Sequence, residues 1–354
     1  MQGLVLAAGE GTRLRPFTLS RPKHLIPLLG KPMIAYPVED LASSGIRDIG
    51  IVVGYHGDLI REALGDGSAF NAKFTYIVQE RRLGIAHAIH RAIEEGFLKE
   101  DFVVYLGDNI LSSGIRRFVE AFEESGVDAY VLLARVKDPS RFGVAVVRDG
   151  KVVRLIEKPR EHVSDLALVG VYFFRDPELV ARAYRDLKPS WRGEYEVTDL
   201  IQWFVDRGHA VGFEVVSGWW KDVGTYEGLL DAIYLLLDRI EPRISGEASG
   251  EVVGRVVVED GARVEGKVYG PAYIGRGALV GRNAIVEHYT SIESGARVLS
   301  GLVSRSLVMS EAEVDINRAR LTDSVVGSHS RVRCARELHG DLRLVISDFS
   351  VVSI

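Results

Sequence analysis

A glycine-rich segment near the start of the sequence has the composition of an anion-binding loop. It contains LAAGEGTRLRPFTLSRPKHLIPL, continues from a short apolar run, and places Arg13 and Lys23 after its glycines. Glycines let backbone N–H groups approach phosphate oxygens, while a guanidinium and an ammonium supply the charge that a triphosphate requires. Leu14 stands where the dinucleotide fingerprint has its third glycine, and no Gly-Lys-Ser/Thr follows, so neither generic phosphate motif is matched. A glycine turn after a strand is also structurally common, and both interpretations stay open for this segment alone.

Two acidic residues stand next to glycines in positions that could serve a metal ion. Asp108 follows an apolar run in Leu106-Gly107-Asp108-Asn109, and Asp222 lies in WWKDVGT. Two carboxylates about one metal diameter apart would bind Mg²⁺ through oxygen ligands and leave positions for phosphate oxygens and water. Turn-forming or helix-capping roles are the alternative for each residue, and the sequence does not show that the two meet.

Two further strand ends carry polar groups that could contact substrates. Lys158, in Glu157-Lys158-Pro159, could hold an anionic second substrate or be a solvated surface charge. Gln79 begins QERRLG, where a side-chain amide and exposed backbone groups could recognise the edge of a base. Capping and turn roles are equal alternatives for this second segment.

The elements that must position these groups alternate between strand and helix patterns up to about residue 240. We predict a mostly parallel, Rossmann-like α/β sheet built from βαβ units. The candidate residues follow the carboxyl ends of its strands, which is where ligands bind in such sheets. The predicted strands are near 3–7, 49–53, 73–78 and 102–106, and the predicted helices are near 33–45, 57–65, 83–96, 112–125, 194–208 and 225–240.

Two details of this region are predicted separately. Pro32 is expected to begin the first helix, because a proline costs nothing at the first helical position. Residues 127–175 are rich in strand patterns, with VDAYVLLARV, FGVAVV, KVVRLIEKP and LALVGVYFF. We expect them to form an insertion or sub-sheet that covers one side of the nucleotide fold.

A different periodicity begins after residues 241–250, a polar, glycine-containing segment that we predict to be a linker between domains 1–240 and 251–354. Aliphatic residues then recur at every sixth position, each preceded two places earlier by a small residue. This period is typical of a hexapeptide β-helix, whereas a β-sandwich, the alternative, has turns every 8–12 residues. Phase shifts on either side indicate loops or imperfect coils. The in-phase aliphatic residues are Val268, Ile274, Val280, Val286, Ile292 and Val298.

Composition limits the class of protein. The 354 residues are 47% hydrophobic with a net charge of −5, values that argue against a disordered or membrane-spanning chain. There is no basic block of the kind that neutralises nucleic-acid backbones, so we expect no nucleic-acid partner. The single Cys334 excludes an intramolecular disulfide, and the N-terminal stretch is too short and glycine-broken for a signal-peptide core. We therefore expect a cytoplasmic protein.

Histidines give weaker indications of chemistry. His87 and His90 lie three residues apart on a predicted helix, a spacing that can bind metal, but no third ligand is nearby and we favour packing or solvent roles. His288 lies in the β-helix, and related β-helix acyltransferases use a histidine. Since no further acyltransferase signature is present, we interpret the β-helix as an oligomerisation or stabilising module.

Taken together, the sequence blocks resemble the sugar-1-phosphate nucleotidyltransferases, and within them the long-form glucose-1-phosphate thymidylyltransferases. The resemblance covers nearly the whole chain and implies a nucleotide-binding α/β domain followed by a left-handed β-helix. It is carried by GEGTRL with Lys23 downstream, QERRLGIAHA, YLGDN, RFGVAV, LIEKP, LALVGVYFF, GEYEVTDLI and WWKDVGT.

The resemblance also implies a reaction and a role for each matching residue. A sugar phosphate oxygen attacks the nucleotide α-phosphorus in line, with Mg²⁺, and pyrophosphate is released; this needs positioning and charge neutralisation rather than a protein nucleophile. Arg13 and Lys23 would stabilise the triphosphate and the departing pyrophosphate. Asp108 and Asp222 would hold the metal, and Lys158 would neutralise the sugar phosphate. The implied nucleotide contacts are Ala8, Gly9, Gly11, Thr12, Gln79, Gly84 and Asp108, and the implied sugar-phosphate contacts are Gly143, Glu157, Lys158, Gly170 and Tyr172.

The substrates implied are the small molecules dTTP and glucose 1-phosphate, which would give dTDP-glucose. The same chemistry with UTP and glucose 1-phosphate, GTP and mannose 1-phosphate or another sugar 1-phosphate is the alternative, because a thymine methyl contributes only about 1–3 kcal/mol of discrimination. QERRLGIAHA and GEYEVTDLI favour the thymidylyl branch. A non-catalytic regulatory subunit would be expected to have a damaged site, whereas all the charged residues above are present. We expect a homo-oligomer, because β-helix modules commonly bury their faces in assemblies.

Overall fold

The structure, a computed structural model, describes residues 1–334 and 340–354. The chain divides into two compact units, of which the first comprises residues 1–10 and 34–222 and the second residues 11–33 and 223–354. The domain boundaries inferred from the sequence remain a prediction, and the compact units differ from them in grouping 11–33 with the C-terminal residues.

Strands and helices alternate for most of the chain up to residue 125, and four successive strands and two further helices then precede the last two strands before residue 222. The helices of this part are α1 (Ala35–Ser43), α2 (Gly57–Leu64), α3 (Ile85–Glu94), α4 (Arg116–Ser125), α5 (Pro177–Asp186) and α6 (Val197–Asp206). The strands are β1 (Gln2–Ala7), β2 (Pro27–Leu28), β3 (Lys31–Pro32), β4 (Asp48–Val53), β5 (Lys73–Val78), β6 (Phe102–Leu106), β7 (Asn109–Leu111), β8 (Ala129–Arg135), β9 (Gly143–Arg148), β10 (Lys151–Glu157), β11 (Leu166–Phe174), β12 (Val211–Val215) and β13 (Trp220–Asp222).

A nine-stranded sheet organises the first unit within the described residues. Its main path runs β10-β9-β11-β6-β1-β4-β5, with β8 paired to β11 and β12 paired to β8. Strand β1 is parallel to both β4 and β6, so that Val5 lies between Ile51 and Tyr105. The predicted α/β class is therefore confirmed, and the strands β6, β1, β4 and β5 pair in parallel.

The strands between residues 127 and 175 correct one expectation. They do not form a separate sub-sheet, because β11 pairs antiparallel with β6 and places Val171 opposite Tyr105, which extends the same sheet. Strand β11 is buried along almost its whole length. Its backbone groups are out of reach of water, so they need partner strands on both sides.

Two helix assignments also differ from the prediction. Helix α1 begins at Ala35 rather than after Pro32, which instead pairs with Pro27 in the small β2–β3 hairpin. Pro37 lies in the first turn of α1, where a missing N–H costs little. Helix α5 was not predicted, although Asp176 caps it by accepting from the backbone N–H of Glu178 at 2.8 Å.

One helix and a series of short parallel strands form the C-terminal part of the second unit. Helix α7 (Tyr226–Leu237) is capped by the Thr225 hydroxyl, which accepts from the Gly228 N–H at 3.1 Å. The strands are β14 (Arg243–Ile244), β15 (Glu247–Ala248), β16 (Glu251–Val253), β17 (Val256–Val258), β18 (Arg263–Val264), β19 (Lys267–Tyr269), β20 (Ala272–Ile274), β21 (Leu279–Val286), β22 (Thr290–Ile292), β23 (Arg297–Ser304), β24 (Leu307–Val308), β25 (Glu313–Thr322), β26 (Val325–Val326), β27 (Arg331–Arg333), β28 (Asp341–Leu342), β29 (Val345–Ile346) and β30 (Val351–Ser353).

These strands stack as the coils of a parallel β-helix, which confirms the interpretation of the hexapeptide period. Ile274 pairs with Ile292, eighteen residues or three hexapeptides later, and all six predicted aliphatic residues are buried. Val298 pairs with Val314 after only sixteen residues, which accounts for the predicted phase shift. Strands β14 and β15 pair with β17 and β18, so the segment predicted as a linker contributes strands to the first coil. Among the described residues, no helix is both long enough and apolar enough to cross a membrane.

A carboxylate is buried inside this β-helix unit. Glu293 accepts hydrogen bonds from the Ser291 hydroxyl at 2.7 Å, from the Gly30 N–H at 2.9 Å and from the Leu29 N–H. Burial raises the pKa of Glu293 from 4.5 to about 7, because desolvation of the ionised form outweighs these donors. Tyr273 is a titratable neighbour, and its pKa is raised first by burial and then by the charge of Glu293.

We expect the Glu293→Gln variant to gain stability relative to the wild type as the pH rises. A carboxyl whose pKa is higher in the folded than in the unfolded state stabilises the fold fully below pH 4.5, and this contribution is lost as the pH rises through 7. One pKa unit corresponds to about 1.4 kcal/mol, so the variant's relative free energy of unfolding should rise by roughly 3 kcal/mol between about pH 4 and pH 8. Urea unfolding of both proteins measures this difference, and a pH-independent value would contradict the pKa of Glu293.

Candidate active site

The ends of three neighbouring parallel strands form one edge of the sheet in the first unit. Ala8 and Gly9 follow β1, Gly54 follows β4, and Gln79 follows β5. A Cβ atom at Gly54 would lie 2.9 Å from the carbonyl oxygen of Ala8, so the two strand ends approach as closely as their backbones allow. The Gln79 N–H donates to the carbonyl of Val53 at 2.8 Å, which fixes the third strand end at the same edge.

The Gln79 side chain is held in one orientation. It is only 6% exposed, and its amide nitrogen donates to the Gly84 carbonyl at 3.1 Å and contacts His87 Nδ1 at 2.9 Å. Burial, and then the charge of Arg91, lower the pKa of His87, which favours the neutral ring. In the tautomer that carries its proton on Nε2, His87 Nδ1 accepts from the Gln79 amide, so both amide hydrogens are used and the Gln79 carbonyl oxygen is left to accept a hydrogen bond from a ligand.

The backbone next to Gly84 explains why a glycine is required there. Gly84 has a φ of 98°, and a Cβ atom would lie 2.5 Å from the carbonyl oxygen of Tyr195. The Tyr195 N–H donates to Leu83 at 2.6 Å, and its carbonyl accepts from Ala86 at 3.1 Å. The QERRLGIAHA and GEYEVTDLI blocks are therefore joined directly through their backbones.

His87 and His90, the two histidines of helix α3, each contact a neighbouring side chain. His87 contacts Gln79, and His90 stacks on Tyr184 with ring centroids 4.2 Å apart. Among residues 1–334 and 340–354, no group of three or more histidine, cysteine, aspartate or glutamate side chains is arranged to hold a metal ion. Both histidines have packing or positioning contacts.

The two candidate metal-binding carboxylates lie on paired segments of the first unit. Strand β13 pairs antiparallel with β7, and this register places Asp222 opposite Asn109, the residue directly after Asp108. Asp108 is 8% exposed, and its Oδ1 atom accepts from the Asn109 side-chain amide at 3.1 Å. Directly paired residues in antiparallel strands have Cα atoms about 4.5–5.5 Å apart. The pairing thus places Asp222 opposite the neighbour of Asp108, although the two aspartates are 114 positions apart in the sequence.

Asn109 connects this pair to the rest of the site, and the sequence analysis assigned it no role. Its Oδ1 atom accepts from the Trp220 indole N–H at 2.6 Å and from the Gly170 backbone N–H at 3.2 Å. A Cβ atom at Gly170 would lie 2.6 Å from the same oxygen, so only glycine leaves room for this contact. In the sequence, the only indication of this role is that Asn109 is a polar residue directly after Asp108 at a strand end.

Three carboxylates of the first unit act on the hydroxyl of Tyr172. Its buried hydroxyl has a pKa raised first by burial and then by the charges of Glu157, Asp222 and Asp108. Electrostatic effects of this kind on a buried group require nearby charges. Asp108, Asp222 and Glu157 therefore all act electrostatically on the Tyr172 hydroxyl.

Glu157 and Lys158 are positioned at the end of β10. Glu157 pairs with Gly143 of β9, and the Lys158 N–H donates to the Phe142 carbonyl at 3.0 Å. The Lys158 ammonium lies 3.5 Å from Glu157 Oε1. Lys158 has a left-handed φ of 42°, an uncommon conformation for a residue with a side chain.

Two residues that sequence reasoning missed hold the Glu157 carboxylate. The guanidinium of Arg192 lies 3.5 Å from Glu157 Oε1, and the Thr198 hydroxyl donates to Oε2 at 3.4 Å. Burial, followed by the charge of Glu196, raises the pKa of Glu157, while Lys158 and Arg192 lower it. Nothing in the local sequence indicated that these side chains converge, because they come from separate elements.

The remaining predicted residues belong to the second unit. A Cβ atom at Gly11, whose φ is 66°, would lie 3.0 Å from Lys23 Cβ, so the glycine turn and this lysine are in contact. Thr12 begins a 3₁₀ turn that contains Arg13. A Cβ atom at Gly224, in the WWKDVGT block, would lie 2.7 Å from the Arg13 guanidinium.

The first unit has polar and acidic residues at the strand ends of a mixed sheet, and the C-terminal part of the chain is a β-helix. Comparison with known proteins identifies the class to which this combination belongs. The family model described as nucleotidyl transferase matches residues 2–239. The chain belongs to this family of enzymes.

Individual relatives are similar over the whole chain. It is 42% identical to a glucose-1-phosphate thymidylyltransferase of Streptomyces griseus, with 100% of this chain and 99% of the relative covered. It is 39% identical to the low-salt glycan biosynthesis nucleotidyltransferase Agl11 of Haloferax volcanii, with both chains covered completely. A crystal structure from Bacillus anthracis assigned to the glucose-1-phosphate thymidylyltransferases matches 66% of this chain and 93% of its own, with 41% identity and a TM-score of 0.60. These similarities confirm the resemblance found in the sequence blocks.

Proposed function

We propose that the protein joins dTTP and glucose 1-phosphate to give dTDP-glucose and pyrophosphate. The observation that carries the proposal is the pairing of Asp222 with the residue after Asp108. The charges of both aspartates and of Glu157 raise the pKa of the buried Tyr172 hydroxyl. This arrangement occurs in a chain whose full-length relatives include a named thymidylyltransferase.

The first part of the proposal concerns a divalent metal ion. Asp108 and Asp222 fit Mg²⁺, because both offer carboxylate oxygens and main-chain pairing places Asp222 opposite the residue that follows Asp108. When bound there, Mg²⁺ would neutralise phosphate charge and orient the phosphate oxygens. Asn109 would keep the Asp108 carboxylate in place through its side-chain amide.

The second part concerns the sugar phosphate. Lys158 would neutralise its phosphate, so that two anions can approach each other. Glu157 and Gly143 would contact sugar hydroxyls, while Gly170 and Tyr172 would line the pocket. Arg192 and Thr198 would hold the Glu157 carboxylate in a fixed orientation for this contact.

The transfer itself is an in-line displacement. A phosphate oxygen of the sugar phosphate forms a bond to the α-phosphorus of dTTP, and the bond from that phosphorus to the bridging oxygen breaks, with its electron pair leaving on pyrophosphate. Arg13 and Lys23 would neutralise the triphosphate and the departing pyrophosphate, together with backbone N–H groups of the glycine loop at Ala8, Gly9, Gly11 and Thr12. No protein nucleophile is required.

The third part concerns the base. The Gln79 carbonyl oxygen can accept from the N3–H of thymine, and the Gly84 carbonyl holds the Gln79 amide in place for this contact. Cytosine has an acceptor at N3 and would face this oxygen unfavourably. Uracil has the same N3–H as thymine, which keeps UTP as the second candidate nucleotide.

We expect the Gln79→Met variant to lose base discrimination. Removing one hydrogen bond to the base should decrease the ratio of kcat/KM for dTTP to that for dCTP by about tenfold, which corresponds to roughly 1.4 kcal/mol. Steady-state pyrophosphate release with each nucleotide measures the ratio. Gln202→Met is the matched control, because the Gln202 side chain also bonds to the backbone, in its case by accepting from the Leu155 N–H at 2.7 Å, but lies on α6. An unchanged ratio in Gln79→Met would contradict base recognition by Gln79.

The experiment that tests the proposed function is pyrophosphate release with Mg²⁺ across pairs of substrates. The nucleotides are dTTP, UTP, GTP, CTP and ATP, and the sugars are glucose, mannose, galactose and N-acetylglucosamine 1-phosphates. A maximum for dTTP with glucose 1-phosphate supports the proposal, and a maximum elsewhere assigns the same chemistry to another pair. No release from folded protein that still binds a sugar nucleotide would instead support a regulatory subunit.

The setting proposed for this activity is a cytoplasmic homo-oligomer acting on small molecules. Cys334 is the single cysteine of the sequence, so the chain offers no pair for an internal disulfide. Its side chain is buried. The measurement that tests the assembly is the molar mass of the purified protein by light scattering.

A further inference from the structure

The segment that contains Arg13 and Lys23 is attached to the last described coil of the β-helix by one aspartate. Asp348 Oδ2 accepts from Arg21 Nη2 at 2.8 Å and Nε at 3.0 Å, and also from the Ser20 hydroxyl. Its other oxygen accepts from the Ser328 backbone N–H at 2.7 Å, within the β-helix. The Asp348 side chain is only 1% exposed, so both of its oxygens are committed to these contacts.

A second carboxylate from another coil holds the far end of the same segment. Glu293 accepts from the N–H groups of Leu29 and Gly30, the two turn residues of the β2–β3 hairpin. Both turn residues have a left-handed φ, 52° for Leu29 and 82° for Gly30, as two-residue hairpin turns require. The left-handed conformation is unfavourable for leucine, and the two hydrogen bonds to Glu293 stabilise it.

Lys23 lies between these two attachments. It follows Arg21 by two residues, with Pro22 between them restricting the backbone, and it begins a 3₁₀ turn. A third contact, from the Ser347 hydroxyl to the Pro16 carbonyl at 3.3 Å, lies on the Arg13 side. With both ends of the segment fixed, the backbone that carries Lys23 and Arg13 loses little further freedom when these residues bind a ligand.

We propose that Asp348 is a positioning residue for the nucleotidyl transfer, which acts through Arg21 to hold Lys23 in the orientation that binds the triphosphate. The β-helix is then part of the apparatus that binds the nucleotide, in addition to any role in assembly. This inference rests on the proposed function, in which Lys23 contacts the triphosphate.

A test of this role must remove the charge of Asp348 while keeping the volume of its side chain. Asp348→Asn keeps the size of the side chain but loses the ion pair with Arg21, which is mostly buried. Arg21→Gln removes the same pair from the other side. Asp323→Asn is the matched control, because Asp323 is also a β-helix carboxylate paired with an arginine, Arg305 at 2.8 Å, and none of its described contacts is with residues 11–33.

We expect Asp348→Asn and Arg21→Gln each to decrease kcat/KM for dTTP by about tenfold, while KM for glucose 1-phosphate changes by less than about twofold. The double variant should be no worse than either single variant, because both remove one interaction. Arg21→Lys should recover part of the loss, since it restores the charge. Asp323→Asn should have wild-type kinetics, and the thermal unfolding midpoint of every variant is measured alongside.

The outcomes separate the possible failures. If both single variants keep kcat/KM for dTTP within about twofold of the wild type, the positioning role is wrong. The role is also wrong if the loss affects both substrates equally and follows the fall in unfolding midpoint, because that pattern indicates a purely structural contact. A wild-type protein inactive with every substrate pair would overturn the proposed function and this inference with it, whereas unchanged variants of an active enzyme overturn the inference alone.

Discussion

Asp222→Asn is expected to abolish turnover, with kcat falling by about 1,000-fold or more in the presence of Mg²⁺. Asparagine keeps the shape of the side chain and the pairing of β13 with β7, so the fold should be retained. The loss of a charged oxygen ligand weakens the neutralisation of phosphate charge in the transition state, and a 1,000-fold effect corresponds to about 4 kcal/mol. Pyrophosphate release at saturating substrates measures kcat.

The control for this variant removes an aspartate charge from the same unit without touching the site. Asp165→Asn loses a surface ion pair, to Arg135 at 2.7 Å, and exposed pairs of this kind contribute only about 0–1 kcal/mol. Its kcat should match the wild type. An Asp222→Asn enzyme with a near-normal rate would show that Asp222 does not hold the metal.

Lys158→Met is expected to decrease kcat/KM for glucose 1-phosphate by roughly 100-fold. Methionine keeps the apolar stem but removes the ammonium, and a charge-assisted hydrogen bond contributes about 1.5–3 kcal/mol. The left-handed backbone of residue 158 does not depend on the ammonium, because its N–H still donates to Phe142. Initial rates with varied glucose 1-phosphate at saturating dTTP measure the change.

Lys151→Met is the matched control for this prediction. Lys151 is exposed at the opposite end of the same strand, β10, and should be replaceable without effect on the kinetics. A loss confined to the KM for dTTP would mean that Lys158 acts on the nucleotide rather than on the sugar phosphate. Equal kinetics of Lys158→Met and the wild type would mean that the lysine is a surface charge.

The loss of Lys158 should also change the pKa of Glu157. Lys158 and Arg192 lower the pKa of the Glu157 carboxyl, whereas burial and the charge of Glu196 raise it. Without Lys158 the pKa of Glu157 should rise further, so the ionised form that accepts from sugar hydroxyls is populated only at higher pH. The pH profile of kcat/KM for glucose 1-phosphate in Lys158→Met should therefore shift to higher pH.

The sequence determined the local elements and the types of residue at the candidate site. Runs such as QGLVLA predicted strands because a buried strand needs apolar side chains on both faces, and the glycines after them predicted tight strand ends. The six-residue period predicted the β-helix because each coil repeats the same inward-facing position. Asp108, Lys158 and Gln79 were candidates because they are polar residues at strand ends.

Only the tertiary structure decided which of these residues meet. The pairing of β13 with β7 places Asp222 beside Asn109, and the contacts of Arg192 and Thr198 with Glu157 join β10 to α6 and to the loop before α6. The attachment of residues 11–33 to Asp348 spans 327 positions of the chain. Backbone preferences and burial patterns act over a few residues, so a short stretch of sequence is enough to predict them. The choice among distant partners depends on how whole elements pack, which no short stretch of sequence specifies.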